Sequence, residues 1–499
     1  MTIESVDVLV VGAGISGIDA GYHLQAYAPG KSYVILEARD DLGGTWDLFR
    51  YPGIRSDSDM HTLGFSFHPW TAAKAIADGP SIKNYLRETA AHYGIDKHIR
   101  YQHRVKGASW DSETARWTVE VERGPNRELA TYSANFLFMC SGYYDYAQGF
   151  TPEFAGREDF RGQIVHPQHW PEKLDYKDKR VIVIGSGATA VTLVPEMARE
   201  AAHVTMLQRS PTYMVSRPSQ DKIANGLRKM LPSKLAYGLT RWKNVLFGMY
   251  FYKKTRTNPE GVNAWVLERV KALLPEGYDM AHFTPSYNVW DQRLCLVPDD
   301  DLFAAIRNGS TEVVTGHIDR FTPKGILLKD GRELEADIIV TATGLNVQLL
   351  SGVAFSVDGA PVELSRTMTY KAMMFSGVPN LATSFGYTNA SWTLKADLTC
   401  MYVARLINHM DRTGTQIATP VLDDPEVEEQ PWLSFTSGYV QRALEKLPKQ
   451  GSKRPWRVHQ NYALDMLDLK FGKVEDGAMT FRKAGPVRRD AAPELIAAE

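Results

Sequence analysis

Short apolar runs recur along this 499-residue chain, and the most regular of them stop at glycine. Residues 6–11 are mostly apolar and break at Gly12-Ala13-Gly14-Ile15-Ser16-Gly17. An apolar run without polar alternation fits a strand covered on both faces, as in a parallel sheet. Residues 18–27 then read as a helix and Tyr33-Val34-Ile35-Leu36-Glu37 as the next strand. Strand, glycine loop, helix and strand make a βαβ unit. The same order returns at 180–184, Gly185-Ser186-Gly187-Ala188-Thr189-Ala190 and 204–207. Residues 136–142 and 337–344 are apolar runs that close in small residues and glycine. Each reads as a strand running into a turn beside a nucleotide loop, where the chain can cross between domains. Residues 215–289 interrupt the second unit and read as helical, with aromatic and basic positions mixed.

The chemistry of the loops follows from their spacing. In G-x-G-x-x-G the first glycine permits the tight turn, the second lets backbone approach a pyrophosphate, and the third allows close helix packing. The helix N-terminus then faces the phosphates. Glu37 closes the second strand, where a carboxylate accepts hydrogen bonds from ribose hydroxyls. In the second loop Ala190 replaces the third glycine, a permitted variant. Its following strand ends in Gln208-Arg209-Ser210 rather than in an acid. A carboxylate there would repel a 2′-phosphate, whereas Arg209 can bind one, so NADPH is expected over NADH. Two dinucleotides in one chain, most simply a flavin and a nicotinamide, point to an enzyme. The expected fold is α/β, with two Rossmann-like dinucleotide-binding domains and a helical insert. The expected segments are 1–145 (flavin domain, first part), 146–214 (linker and nicotinamide domain, first part), 215–289 (insert), 290–343 (nicotinamide domain, second part) and 344–499 (flavin domain, second part, and tail).

Composition narrows the rest. A 44% hydrophobic fraction is that of a globular protein with a large core, and a net charge of −1 gives no global field for nucleic acid. The three cysteines, Cys140, Cys295 and Cys400, are far apart and show no metal-ligand spacing. No metal site is expected, and the absence of a CxxC pair speaks against a disulfide reductase. No apolar run approaches the roughly 18 residues that span a bilayer, and no leader is read at the N-terminus, so a cytoplasmic protein is expected. Residues 222–256 hold nine basic residues and no acidic one. A basic amphipathic segment can lie on an anionic membrane surface, and the plainer alternative is a helical lid with a solvated basic face. The segment after Gly485 is polar and rich in alanine and proline, and reads as loose.

Between the loops lies Phe160-Arg161-Gly162-Gln163-Ile164-Val165-His166-Pro167-Gln168-His169-Trp170-Pro171. It fits F-x-G-x-x-x-H-x-x-x-W-P and resembles the fingerprint of type I Baeyer–Villiger monooxygenases, within the flavin-containing monooxygenase superfamily. Gly43-Gly44-Thr45-Trp46 and Arg50-Tyr51-Pro52-Gly53-Ile54-Arg55-Ser56-Asp57 resemble flavin-side motifs of that family. Trp290-Asp291-Gln292-Arg293-Leu294 and residues 386–397 bring the chain close to mycobacterial, ethionamide-activating members of it.

The resemblance implies FAD and NADPH as cofactors. It implies that reduced flavin adds oxygen at C4a and that the resulting peroxide, as its anion, attacks a ketone carbonyl to give an ester. Hydrophobic ketones are the expected substrates, with sulfides and thioamides oxygenated as well. By family position Arg293 is the fixed cation of the reaction, and Asp57 the carboxylate that orients it. Phe160, Gly162, His166, Trp170 and Pro171 belong to a linker that positions the nicotinamide domain. One departure stands out: many members carry lysine before the catalytic arginine, and here the position is Gln292. Three other classes share the cofactor motifs: an N/S-oxygenating monooxygenase, a peroxide-releasing NADPH oxidase and a flavin redox sensor without turnover. Trp170 and the Asp57/Arg293 pair favour Baeyer–Villiger chemistry over the first, and two intact loops argue against the sensor. Phe65, Phe67, Trp70, Tyr387, Trp392 and the insert are candidate walls of a substrate pocket. Oligomeric state is not legible.

Overall fold

In a computed structural model the described residues are 3–292, 294–433 and 435–485. Arg293 and the segment after Gly485, both subjects of sequence expectations, lie outside them.

The first glycine loop joins strand β1 (Glu4–Val11) to helix α1 (Ile15–Tyr27), and β2 (Tyr33–Leu36) follows. β3 (His103–Asp111), β4 (Arg116–Arg123) and β5 (Glu128–Met139) form an antiparallel meander. In β4, Trp117, Val119 and Val121 turn inward and Thr118 and Glu120 outward, the alternation of a sheet with one covered face. β5 returns parallel to β1, setting Met139 beside Val11. The meander therefore ends where the glycine loop begins. Ile99–Arg100, Ala354–Val357, Ala360–Pro361 and Leu381–Thr383 complete a nine-stranded sheet.

The second unit contains β6 (Gln163–Val165), β7 (Arg180–Ile184), α2 (Ala188–Met197), β8 (His203–Gln208), β9 (Thr311–Thr315) and β10 (Ile338–Thr341). Its strands are all parallel, in the order β9-β8-β7-β10-β6. The fold is α/β with two parallel nucleotide-type units, as the apolar runs predict. Three helices, α3 (Lys222–Met230), α4 (Ser233–Thr257) and α5 (Pro259–Leu273), fill most of 215–289. They leave from Met214–Arg217 and return to Cys295–Pro298, which pair in parallel with Met214 beside Cys295.

Two buried charged groups fix helices to the frame. α6 (Trp392–Thr413) packs on α1. There His23 lies between Asp19 (Nδ1–Oδ1 3.1 Å) and Asp397 (Nε2–Oδ1 3.3 Å), with all three residues buried. Burial pushes the Asp19 carboxyl up to about 6. Burial works against a charged His23, but its two carboxylate partners raise it well above its usual value. Burial likewise opposes ionisation of Asp397, but its bond to His23 holds it below the ordinary range. On α4, buried Arg241 donates from Nη1 to the carbonyls of His61, Thr62 and Gly64 at 3.0, 3.2 and 2.8 Å. A guanidinium in an apolar setting is tolerated only with such partners, so it sets which face of α4 points inward.

Candidate active site

Both glycine loops open on one cavity of about 1220 Å³. On the first side it is lined by Gly12, Gly14, Ser16, Glu37, Gly44, Thr45, Trp46 and Asp57, and on the second by Gly185, Ser186, Gly187, Ala188, Thr189, Arg209 and Ser210. Gly17 is not part of the wall: a Cβ there would stand 1.8 Å from the Gly12 carbonyl oxygen, so its place in the motif is one of packing.

Each loop is pressed against one of the crossing strands. Gly12 has φ +103°, and a Cβ on it would lie 2.7 Å from the Cys140 oxygen. Gly185 has φ +140°, and its Cβ would lie 2.3 Å from the Ala342 oxygen. Only glycine meets both demands at once. Neither α1 nor α2 has a side-chain cap or an acid in its first turn. Their first N–H groups therefore remain open to an anion. A Cβ on Gly187 would meet no atom within 4 Å, so the space above that backbone is free for a ligand. The cradles fit two dinucleotides.

Glu37 is buried. Its Oε2 accepts the Ala13 N–H at 2.8 Å and its Oε1 the Arg39 N–H at 2.9 Å. Burial pushes its carboxyl up, opposed by those two donors. Each oxygen keeps a further lone pair, enough for a ribose hydroxyl. Ser16 takes a hydrogen bond from Trp392 Nε1 at 2.8 Å and one from Ser384 Oγ at 3.0 Å, tying the first loop to the start of α6. Across the cavity, Ser186 Oγ donates to the Ser210 carbonyl at 3.1 Å and lies 2.7 Å from Thr212 Oγ1. Arg209 is exposed and makes no ion pair among the described residues.

Residues 46–57 bridge the two units. Leu48, Phe49 and Tyr51 are buried in the same apolar cluster as Val191 and Val194 of α2. The Tyr51 hydroxyl bonds to Thr189, and Arg55 pairs with Asp301. Asp57 lines the cavity, as does Gln292, the neighbour of Arg293.

The fingerprint residues stand apart from the wall. A Cβ on Gly162 would lie 2.3 Å from the Asp337 oxygen, so β6 can approach β10 there only without a side chain. Phe160 is buried against Phe321, and Trp170 packs against the cluster around α2. His166 accepts the Gln168 N–H at 3.1 Å, its ring lies against Gly149, and burial lowers its pKa. Neither it nor Pro171 lines the cavity.

Among the candidate pocket walls, Tyr387 and Trp392 line the cavity. Phe65 and Trp70 are buried away from it, and Phe67 stacks on Tyr22 at 3.5 Å. Of the 215–289 insert, Tyr287 is the described residue that reaches it. One wall residue, Tyr143, and one residue next to the wall, Asp47, were not singled out from the sequence. Tyr143 lines the cavity and stacks on Trp392 with ring centroids 5.4 Å apart. Asp47 is bound by Arg39 Nε and Lys83 Nζ, both at 2.6 Å. Burial opposes its charge, but these cations keep its carboxyl below the usual range. Its position within Gly43-Gly44-Thr45-Trp46-Asp47 was the available cue.

Comparison with known proteins agrees with this arrangement. Residues 5–373 match the family described as flavin-binding monooxygenase-like. The chain is 56% identical over 482 residues to the FAD-containing monooxygenase EthA of Mycobacterium tuberculosis, covering 96% of this chain and 98% of the relative. It is 48% identical over 496 residues to the probable FAD-binding monooxygenase AlmA of Acinetobacter baylyi, covering 99% of each. Its fold is similar to that of an oxidized steroid monooxygenase bound to NADP, with TM-score 0.74 and 23% identity over 96% of this chain and 100% of the other. A closed structure of cyclohexanone monooxygenase gives TM-score 0.74 at 19% identity over 97% and 100%. At such identities the likeness to solved structures concerns the fold alone. The match over most of the chain and the two full-length relatives go further, and with two dinucleotide cradles facing one cavity they show that the chain belongs to the flavin-binding monooxygenase-like family.

Proposed function

We propose that this protein is a Baeyer–Villiger monooxygenase that uses FAD and NADPH to insert one atom of O2 into hydrophobic ketones, giving esters, and that also oxygenates sulfides and thioamides. The observation that carries this reading is the shared cavity: both glycine loops, Asp57 and Gln292 line it together. The fingerprint ending in Trp170-Pro171 supports the Baeyer–Villiger assignment over N- or S-oxygenation alone.

Bound flavin supplies the oxygen-activating chemistry and the nicotinamide its hydride. The protein's share is to bind, orient and exclude water. The open N-termini of α1 and α2 hold the two pyrophosphates, Glu37 accepts ribose hydroxyls, and Arg209 meets the 2′-phosphate. Arg293 places a permanent positive charge where negative charge develops on oxygen, and Asp57 orients it. Tyr143, Tyr387 and Trp392 give the cavity an aromatic wall that suits an apolar substrate. Phe160, Gly162, His166, Trp170 and Pro171 act as the linker that positions the nicotinamide unit. The segments 1–145, 146–214, 215–289, 290–343 and 344–499 are the domain parts of this reading.

Product analysis with a linear methyl ketone, NADPH and labelled O2 tests it. An ester carrying one labelled oxygen is the expected result. Peroxide as the sole product across ketones and sulfides would overturn it in favour of an oxidase.

A further inference from the structure

α4 is amphipathic in the opposite sense to an ordinary surface helix. Its inward face is polar: Arg241 holds three carbonyls, Tyr237 donates to the Phe65 carbonyl at 3.0 Å, and Asn244 donates to Asp59 at 2.8 Å. Its outward face carries Leu235, Leu239, Trp242, Leu246 and Tyr250, spaced three or four residues apart and all exposed. Residues so spaced share one side of a helix. On α3, Ile223 and Met230 are exposed too, Met230 to 81%. A water-facing helix normally hides such a stripe. α4 cannot roll inward to do so, because Arg241 would lose its carbonyl partners inside the protein.

Within the two helices themselves charge has one sign only. α3 and α4 contain no acidic residue. Exposed Lys222, Lys229, Lys234 and Lys253 make no ion pair among the described residues, whereas Lys243 and Arg256 are neutralised by Asp221 and Asp291. Exposed apolar side chains flanked by unpaired lysines fit the boundary of an anionic bilayer, where the apolar groups enter the acyl region and the ammonium groups remain among the phosphates. No described helix is long and apolar enough to cross a membrane, so the fit is to its surface. The inner side of the same helix reaches the catalytic cavity at one remove: Val245 and Met249 pack with Tyr387, which lines it.

We propose that α3 and α4 dock the protein on anionic membrane surfaces, with Leu235, Leu239, Trp242, Leu246 and Tyr250 in the lipid interface. The surface proposal stands apart from the Baeyer–Villiger assignment and can fail without it.

The test is flotation of the flavin-loaded protein with phosphatidylcholine vesicles that contain or lack phosphatidylglycerol. The expected result is binding to the anionic vesicles alone, weakened by salt. Lys222→Gln/Lys229→Gln/Lys234→Gln reduces that partitioning by about a hundredfold, each lost charge accounting for roughly fivefold. Leu239→Ser/Leu246→Ser abolishes it. Both variants keep the parent's rate of flavin reduction by NADPH in solution, which shows that they fold. Quenching by brominated lipid is seen in the parent and diminished in Trp242→Phe. Absence of flotation, flotation unaffected by these substitutions, or lipid-free self-association that buries Trp242 would each overturn the proposal.

Discussion

Arg209 stands exposed where the second nucleotide unit ends its β8 strand, and no acid claims it among the described residues. A guanidinium in that position is free to meet a 2′-phosphate, and a charge-assisted hydrogen bond of this kind changes binding by on the order of tenfold or more. Arg209→Ala is therefore expected to raise the KM for NADPH by about that factor and to leave the KM for NADH nearly unchanged. Steady-state kinetics with both nucleotides decides it, and equal effects would remove the assignment. Arg293→Ala is expected to divide the cycle differently. Anaerobic reduction of the flavin by NADPH should continue near the parent rate, while ester formation falls by on the order of a hundredfold or more. Persistent ester formation would sink the role given to the cation. Much of the residue-level site was legible because the signals are local: glycine spacing, a strand-terminal Glu37, an arginine where an acid is usual. What escaped depends on distant chain. Nothing near Ser16 announces that Trp392 and Ser384 will bond its hydroxyl, and nothing near Asp47 names Lys83 as its partner.

Elements were legible where they are buried on both faces. The apolar runs Val8–Val11 of β1, Val181–Ile184 of β7 and Ile338–Val340 of β10 stand out, since polar groups would be stranded in them. The β3–β5 meander was not read, because its covered face shows only as alternation and polar residues such as Thr118 and Glu120 dilute the run. α6 was missed for a related reason: Lys395, Asp397 and His409 are buried polar positions on a helix that reads as mixed. One of them, Asp397, pairs with His23 of α1, and this pair makes the α1–α6 contact sensitive to pH. The raised pKa of His23 means the folded protein keeps a proton that the unfolded chain releases near 6.5. That stabilisation is complete below about 6.5 and is lost as pH rises toward the folded value. Asp19, raised to about 6, acts in the same direction at lower pH: its contribution is present below its usual 3.8 and lost through about 6. Asp397, whose carboxyl is lowered, opposes both at the acid end, where its stabilisation is lost as pH falls. Of these three groups only the histidine still titrates above neutral pH. The melting temperature of the flavin-loaded protein is thus expected to fall as pH rises above about 6.5, and His23→Gln to make that decline shallower while lowering stability at pH 6. A variant that keeps the parent's alkaline slope would show that His23 is neutral in the fold.

At the scale of the molecule, two nucleotide units must meet with a nicotinamide ring against a flavin, and hydride transfer tolerates little error in that approach. The structure joins them through residues 46–57, which follow directly on the flavin-side Gly43-Gly44-Thr45 and pack into the second unit through Leu48, Phe49 and Tyr51. Among the described residues, polar contacts that cross this junction include the Tyr51 hydroxyl to Thr189, Arg55 to Asp301 and Arg50 to Glu172. The motif was legible as a motif, but its bridging role was not, because Tyr51-Pro52-Gly53 says nothing of α2, more than a hundred residues later in the chain. The contact itself makes a test. Tyr51→Phe keeps the buried ring and its packing and removes one hydrogen bond worth about 0.5–1.5 kcal/mol, so the fold and the flavin content should be retained. If the bond holds the register of the two units, its loss should appear in the step that needs that register. Stopped-flow reduction by NADPH is expected to slow by roughly threefold to tenfold, with the dissociation constant for NADPH changed less than the limiting rate. Rephrased as populations, the productive alignment becomes one of several rather than the dominant one. A variant that binds NADPH more weakly yet reduces flavin at the parent's limiting rate would place Tyr51 in nucleotide binding and leave the alignment of the two units to the apolar contacts of Leu48 and Phe49.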